Sequence, residues 1–426
     1  VENSNKPRIE VREIKQDIWK EAMQASDAVR IKYASKYQGS SNYWKNSIGM
    51  NRGLANLNVF ERKQEQEKEF AAWVAQSPQR QEKYGEVLTL LEKGYTGSNE
   101  YRQIATYLSE AFAGGAEIIK LARMVQSVDV QNSTPEEIDY ILENQIKDFF
   151  KDYEASLDQK VLGAMMEVVK KRVPAQYLPD IYPSIDKKYK GDYARYAADL
   201  FKKTSFTSIN KVAEALKNPA KYEKLKQDPA YKLSLSVLIS LFEMQQFLGE
   251  TQFDIAKGER LYFAGLKEMY PDKALSSDAN FTMRVSYGSV GGYQPYDAAW
   301  YTYYTTTKGV FEKEDPKSDE FWVQPEILDL LKRKDFGQYG NGNGDMNLCF
   351  LSNNDITGGN SGSPVFDKNA RLIGLAFDGN WEAMSGDIAF EPELQRTISV
   401  DIRYVLFMID KWGKCPRLIN ELKLVK

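Results

Sequence analysis

The stretch Thr357-Gly358-Gly359-Asn360-Ser361-Gly362-Ser363-Pro364 decides how the second half of this chain is built. A serine hydroxyl is a poor nucleophile near neutral pH. Acyl transfer through it needs a base to take the proton and donors to hold the oxyanion that develops. Glycines flanking a serine let the backbone turn tightly, so the amides of Gly359 and Ser361 can point at one carbonyl oxygen while the Ser361 hydroxyl stays exposed. Ser363 is the poorer nucleophile, because Pro364 drives it toward an extended conformation that begins the next strand. The base is the missing part: none of the 426 residues is a histidine.

In the chain order His, Asp, Ser of chymotrypsin, both partners would lie upstream of Ser361. Two explanations follow: a degenerate peptidase that has lost its base, or a segment of a longer enzyme whose N-terminal part lies elsewhere. The chain opens Val1-Glu2-Asn3, with no initiator Met and no signal-peptide pattern. An internal fragment or processed chain would start this way, and the second explanation is the expectation. Asn360 adds a negative inference. Trypsin-like zymogens place an aspartate before the serine to pair with a newly freed N-terminus, and asparagine cannot make that ion pair, so the loop is expected to form without such activation.

Composition describes a soluble globular protein of two or three domains, with 42% hydrophobic and 27% charged residues. No apolar run approaches the length of a membrane span. A net charge of −3 does not suggest a nucleic-acid binder, and Lys170-Lys171-Arg172 and Lys187-Lys188 read as solvated surface. Two cysteines, Cys349 and Cys415, exclude a disulfide framework but leave one bridge open. Without histidine, a zinc site is not expected, nor any other metal or cofactor. Asn341-Gly342-Asn343-Gly344-Asp345 has metal-loop residue types without a terminal bidentate glutamate, and reads as a turn.

Residues 1–273 read as helical. Leu157, Val161, Met165, Val168 and Val169 form one apolar stripe, and similar patterns cover Phe60 to Val74, Tyr101 to Val125, Ile138 to Phe150 and Leu233 to Leu248. Turn signals separate them at Gly94-Tyr95-Thr96-Gly97 and at Asn218-Pro219. Residues 274–426 read instead as short strands: Met283, Val285 and Tyr287, then Tyr301 to Val310, Leu348 to Leu351, Pro364 to Phe366, Leu372 to Phe377 and Thr397 to Ile402. The expected class is α+β, an all-helical domain followed by the C-terminal part of a chymotrypsin-like double β-barrel, since about 150 residues are too few for two whole barrels.

Asn353 to Val365, then Leu372 to Glu382, with Ser41-Asn42-Tyr43-Trp44-Lys45-Asn46-Ser47-Ile48-Gly49-Met50 far upstream, resemble the bacterial serine dipeptidyl-peptidases of the dipeptidyl-peptidase 7 and 11 type over nearly the whole chain. The resemblance implies a chymotrypsin fold with a large helical domain inserted, whose catalytic histidine and aspartate precede the insertion. It implies oligopeptide substrates cut after two residues, a homodimer, a periplasmic or cell-surface location, and a partner segment supplying the histidine and aspartate. Without that segment the chain is expected to be inactive. Releasing dipeptides requires a group that holds a free α-ammonium. Asp378, just beyond the strand Leu372 to Phe377, is the candidate carboxylate, against the plainer reading of an Asp-Gly turn. By similarity Asn42 reaches the same ammonium, with Asn46 as the alternative. At the position of Gly379 the family places either arginine, which selects Asp or Glu before the scissile bond, or glycine, which leaves room for an apolar side chain. Trp44, Trp300 and Trp381 read as core or cleft wall. Ser361 as nucleophile, Gly359 as oxyanion donor, and Asp378, Asn42 and Gly379 as substrate-binding residues complete this reading. A non-catalytic peptide-binding protein and a purely structural helical scaffold are its rivals.

Overall fold

The structure, a computed structural model, describes residues 1–273, 280, 282–318 and 320–425. It divides into two compact units, Val1–Ile48 with Arg62–Ala274, and Gly49–Glu61 with Leu275–Lys426.

The first unit is helical. The stripe Leu157, Val161, Met165, Val168 and Val169 is buried along the helix Ala155–Arg172, in a core shared with Leu108, Phe112, Ile119, Leu121 and Phe206. Helices Val59–Ala75 and Pro135–Ile141, the latter continued through a π-turn into Lys147–Lys151, stand where the periodicity places them. Asn218 caps the helix Pro219–Leu225 through its side chain, as an Asn-Pro pair should. Leu233 to Leu248 proves to be part of a 41-residue helix, Pro229–Met269.

Two readings are corrected in this unit. Gly94-Tyr95-Thr96-Gly97 is no turn; it lies inside the helix Val87–Leu108. A Cβ on Gly94 would stand 2.5 Å from Ile255 Cγ1, and one on Gly258 would stand 2.8 Å from Leu91 Cδ2. These glycines let two helices approach closely, which a composition rule for turns cannot distinguish. Tyr101 to Val125 is not one helix either. A π-turn at Ser109–Ala113 ends the first part, Lys15 Nζ donates to the freed Gly114 carbonyl at 2.6 Å, and a second helix starts at Glu117.

That second helix, Glu117–Gln126, has Ala116 at its N-cap and no side-chain cap of its own. Asp158 supplies one from the helix Ala155–Arg172: its buried carboxylate accepts the Glu117 and Ile118 amides, both at 2.7 Å, and the Tyr153 hydroxyl at 3.1 Å. Burial first, then the Glu117 charge, push Asp158 up to about 7 against those three donors. The folded state therefore holds its proton over a pH range where the unfolded chain has lost it. The stabilisation that proton brings is complete below the unfolded value near 3.8 and fades as pH rises to about 7. In chemical denaturation, Asp158→Ala should cost about 3 kcal/mol, since two amides and a hydroxyl lose their acceptor. Asp158→Asn should differ from the parent more at pH 5 than at pH 8; a difference independent of pH would refute the titration.

The second unit holds one antiparallel sheet of five strands: β1 (Tyr304–Thr306), β2 (Asn347–Ser352), β3 (Pro364–Phe366), β4 (Leu372–Gly379) and β5 (Thr397–Asp401), in the order β1-β2-β5-β4-β3. Beneath it pack Leu331, Phe336, Tyr339, Met346, Leu406 and Phe407. With β1 and β3 at its margins the sheet is open among the described residues, and the chain builds a helical part followed by a β part, as the α+β reading expects.

Four of the six expected strands stand where the alternation places them. Met283, Val285 and Tyr287 do not form one: their side chains are 96%, 85% and 90% exposed, and pairing begins only at the Val290–Ser352 bridge. Tyr301 to Val310 shrinks to three residues because the Thr306 side chain caps a helix, Thr307–Lys313, by accepting the Lys308 amide. Asn341–Asp345 is a turn, with Gly342 and Gly344 at φ of +82° and +76° and the Asn341 amide on the Asp345 carbonyl at 2.8 Å. Cys349 and Cys415 are free thiols, which closes the question of a bridge. Among the described residues no helix is long and apolar enough to cross a membrane.

The sequence reading places residues 49–61 with the helical part, whereas the structure groups them with the sheet. The reason is again close approach: ideal Cβ atoms on Gly49 and Gly53 would fall 2.5 Å from Met384 Cγ and 2.4 Å from Ser385 Oγ.

Candidate active site

The segment before β3 is folded on Asn360. Its side-chain oxygen accepts the Thr357 amide at 3.1 Å, its own amide donates to the Thr357 carbonyl at 3.2 Å, and its carbonyl accepts Ser363 N–H at 2.9 Å. Gly359 and Gly362 lie at φ of +105° and +83°, where a side chain would be strained although a Cβ at either would meet no neighbour. Glycine is needed there for conformation, not for space. Gly362 N–H donates to the Ala376 carbonyl at 2.7 Å and Ala376 N–H to the Ser363 carbonyl at 2.9 Å, which ties the loop to β4.

This anchoring leaves Ser361 exposed, its hydroxyl donating to the Phe377 carbonyl across 3.4 Å. A carbonyl oxygen can orient a hydroxyl but cannot take its proton at neutral pH. Among the described residues the amides of Gly359 and Ser361 have no acceptor. A loop with two uncommitted N–H groups on either side of Asn360 is chemically equipped to receive a developing oxyanion.

On the neighbouring strand the β4–β5 register slips between Ala376 and Asp378, so that Asp378 faces Ile398 and Gly379 faces Thr397. Such a bulge re-aims side chains at a strand end. Asp378 is exposed; one carboxylate oxygen accepts the Gly379 amide at 2.8 Å, and the other is uncommitted among the described residues. A Cβ on Gly379 would stand 3.0 Å from Ala383 Cβ and 3.4 Å from Met384 Cε. Ser361, Gly359, Asp378 and Gly379 thus come together in the second unit. Asn42 and Asn46 belong to the first, on the helix Asp27–Asn56, where Asn42 is exposed and accepts from Gln38 at 2.8 Å while Asn46 is half-buried.

Sequence reasoning passed over the residues that brace this corner. Asn380 is buried, donates to the Leu394 carbonyl at 2.8 Å and accepts the amides of Ala383 at 3.1 Å and Arg396 at 2.9 Å. Arg396 is buried with four backbone carbonyls, those of Gly291, Gly292, Pro392 and Gln395, at 2.7–3.3 Å, and its guanidinium lies 5.5 Å from the Tyr293 ring centre. The Tyr293 hydroxyl donates to Glu382 at 3.1 Å, and burial pushes it up to about 12. Partial burial and then the Asp387 charge hold Asp355 above the usual carboxylate range against Arg284. A buried arginine satisfied by carbonyls leaves no spacing in the sequence that could have announced it.

Trp300 and Trp381 are exposed and Trp44 half-buried, so none of the three is core. A cavity of about 350 Å³ in the first unit, lined by Ile185, Lys188, Tyr189, Tyr196, Asp199 and Lys203 among others, includes none of the expected site residues. Among the described residues no group of three or more His, Cys, Asp or Glu could hold a metal ion.

The family model described as Peptidase S46 matches residues 1–424. The chain is 57% identical over 429 residues to Dipeptidyl-peptidase 7 of Porphyromonas gingivalis, and 35% identical over 433 residues to the Asp/Glu-specific dipeptidyl-peptidase of Flavobacterium psychrophilum. All of this chain is covered in both alignments, but it spans only 59% and 60% of those relatives' lengths. The crystal structure of Porphyromonas endodontalis DPP11 in complex with the dipeptide Arg-Glu superposes with a TM-score of 0.87 at 33% identity, over 98% of this chain and 60% of that one.

Proposed function

The chain belongs to the peptidase S46 family, and on that premise we propose that it carries the nucleophile and substrate-recognition half of a serine dipeptidyl-peptidase. Ser361 attacks the carbonyl of the second residue of an oligopeptide, and the Gly359 and Ser361 amides hold the oxyanion. Asp378, with Asn42, binds the substrate α-ammonium and so measures off two residues. Gly379 leaves room for an apolar side chain before the scissile bond. Burying that side chain stabilises binding by about 1.5–3 kcal/mol, whereas an acidic one would be desolvated without a partner. The histidine base and its aspartate come from outside these 426 residues, and this stretch alone turns nothing over. Function as a homodimer in the periplasm or at the cell surface completes the proposal.

The observation that carries this reading is the loop itself. An exposed Ser361, two uncommitted amides beside it and an uncommitted carboxylate oxygen at the β4 bulge lie on segments joined by the Gly362–Ala376 and Ala376–Ser363 hydrogen bonds. The test is a digest of matched oligopeptides with free and acetylated N-termini by the protein that carries this stretch together with its histidine. Mass spectrometry should show sequential loss of dipeptides from the free peptides and none from the acetylated ones; equal cleavage of both sets would remove the role given to Asp378. The absence of histidine favours one rival, a peptide-binding protein without turnover. It would retain free-amine peptides intact, with Ser361 never acylated.

A further inference from the structure

The short helical turn Trp381–Ser385 follows directly on Gly379 and Asn380, and its backbone is fixed: Asn380 caps it through the Ala383 amide, and Ser385 is fully buried. The side chain of Met384 is differently placed. Its root lies against the helix Asp27–Asn56, where an ideal Cβ on Gly49 would fall 2.8 Å from Met384 Cβ and 2.5 Å from Cγ, nearer than real atoms stand. Its tip reaches the other way, with Cε 3.4 Å from where a Cβ on Gly379 would be. One methionine therefore spans from a helix glycine to the strand glycine two residues beyond Phe377, whose carbonyl meets the Ser361 hydroxyl. Gly49 does not lie in the left-handed region, so its lack of a side chain serves space rather than conformation. Around the same contact, Trp381 Cε3 stands 3.0 Å from the Gly49 Cβ position and the Arg52 guanidinium lies 5.6 Å from the Trp381 ring centre.

We infer that Met384 sets the depth of the apolar subsite beside Gly379, and that Gly49 determines where Met384 can stand. The inference rests on the dipeptidyl-peptidase reading and adds to it a specificity residue and its support. An unbranched thioether with rotatable bonds adapts to side chains of different size, so a subsite closed by Met384 accepts several apolar residues without a fixed wall. A methyl group at residue 49 takes the space of the Met384 root and drives the tip toward Gly379, narrowing the subsite.

The experiment uses dipeptidyl substrates that differ only in the residue before the scissile bond, Ala, Leu or Phe, and the protein that carries this stretch with its histidine. Met384→Ala should raise kcat/KM for Phe relative to Ala about tenfold, mostly through KM. Gly49→Ala should shift the ratio the opposite way in the parent and much less in the Met384→Ala background, where the Cγ contact and the tip at Gly379 are gone although the residue-384 Cβ and Trp381 contacts remain. Parallel changes for all three substrates, or a Gly49→Ala effect that is undiminished in the Met384→Ala background, overturn the inference while leaving the dipeptidyl-peptidase reading intact. A protein that cleaves none of the panel in any form overturns both.

Discussion

Ser361→Ala should lower kcat for dipeptide release by about a millionfold while leaving thermal stability unchanged. The size follows from the way a nucleophile and its base act as a unit: removing either loses nearly the whole gain over the residual rate supplied by binding and the oxyanion donors. The unchanged stability follows from the surroundings, since the hydroxyl is exposed and makes one long contact, 3.4 Å to the Phe377 carbonyl. Ser363→Ala is the matching control. Ser363 is half-buried beside Pro364, with its amide and carbonyl both engaged, and its loss should leave acylation intact. Intact mass after treatment with a fluorophosphonate reads the same chemistry directly. This chain alone should stay unlabelled for want of a base, the chain together with its histidine-bearing segment should gain one adduct, and Ser361→Ala should gain none. An adduct on Ser361→Ala, or none on Ser363→Ala, would move the nucleophile to residue 363.

How much of this was legible in the sequence depends on whether a feature is local. The stripe from Leu157 to Val169, the Asn218-Pro219 cap and the strands flanking Ser361 follow from periodicity and side-chain chemistry within a few residues, and they stand where these place them. The Gly359 and Gly362 conformations were legible for the same reason: a serine exposed on a tight turn needs φ values that favour glycine. Features that depend on a distant partner were not. Gly94 and Gly97 carry the composition of a turn, yet at Gly94 what matters is Ile255, far along the chain. Met283, Val285 and Tyr287 alternate as a strand does but find no strand partner among the described residues, and alternation alone buries nothing. Gly49 and Gly53 sit in a helical pattern that says nothing of Met384 and Ser385, and the Asn380 and Arg396 braces are hydrogen bonds to carbonyls that any residue type could offer.

Gly379→Arg tests the recognition half of the proposal as sharply as Ser361→Ala tests the chemical half. In the parent, the three atoms nearest a Cβ at residue 379 belong to Ala383, Met384 and the Arg396 backbone carbonyl, none of them a cation. An acidic residue before the scissile bond would give up its hydration with nothing to replace it. A guanidinium at this position supplies a planar pair of donors that meets a carboxylate with two hydrogen bonds, and at the same time fills the volume an apolar side chain needs. Both effects push the same way, so the ratio of kcat/KM for Glu over Leu should rise about a thousandfold. The backbone can accept the change, because Gly379 lies outside the left-handed region and pairs with Thr397 at the end of β4. The tightest new contact is its Cβ at 3.0 Å from Ala383 Cβ, which calls for a shift of a few tenths of an ångström, while the Met384 tip at 3.4 Å is already at ordinary contact distance. The arginine must nevertheless extend past Met384. Adding Met384→Ala should therefore increase acidic cleavage by Gly379→Arg further, through KM. A Gly379→Arg protein that folds, still prefers Leu and ignores Glu would place the discriminating residue elsewhere and leave Gly379 with only its place at the end of β4.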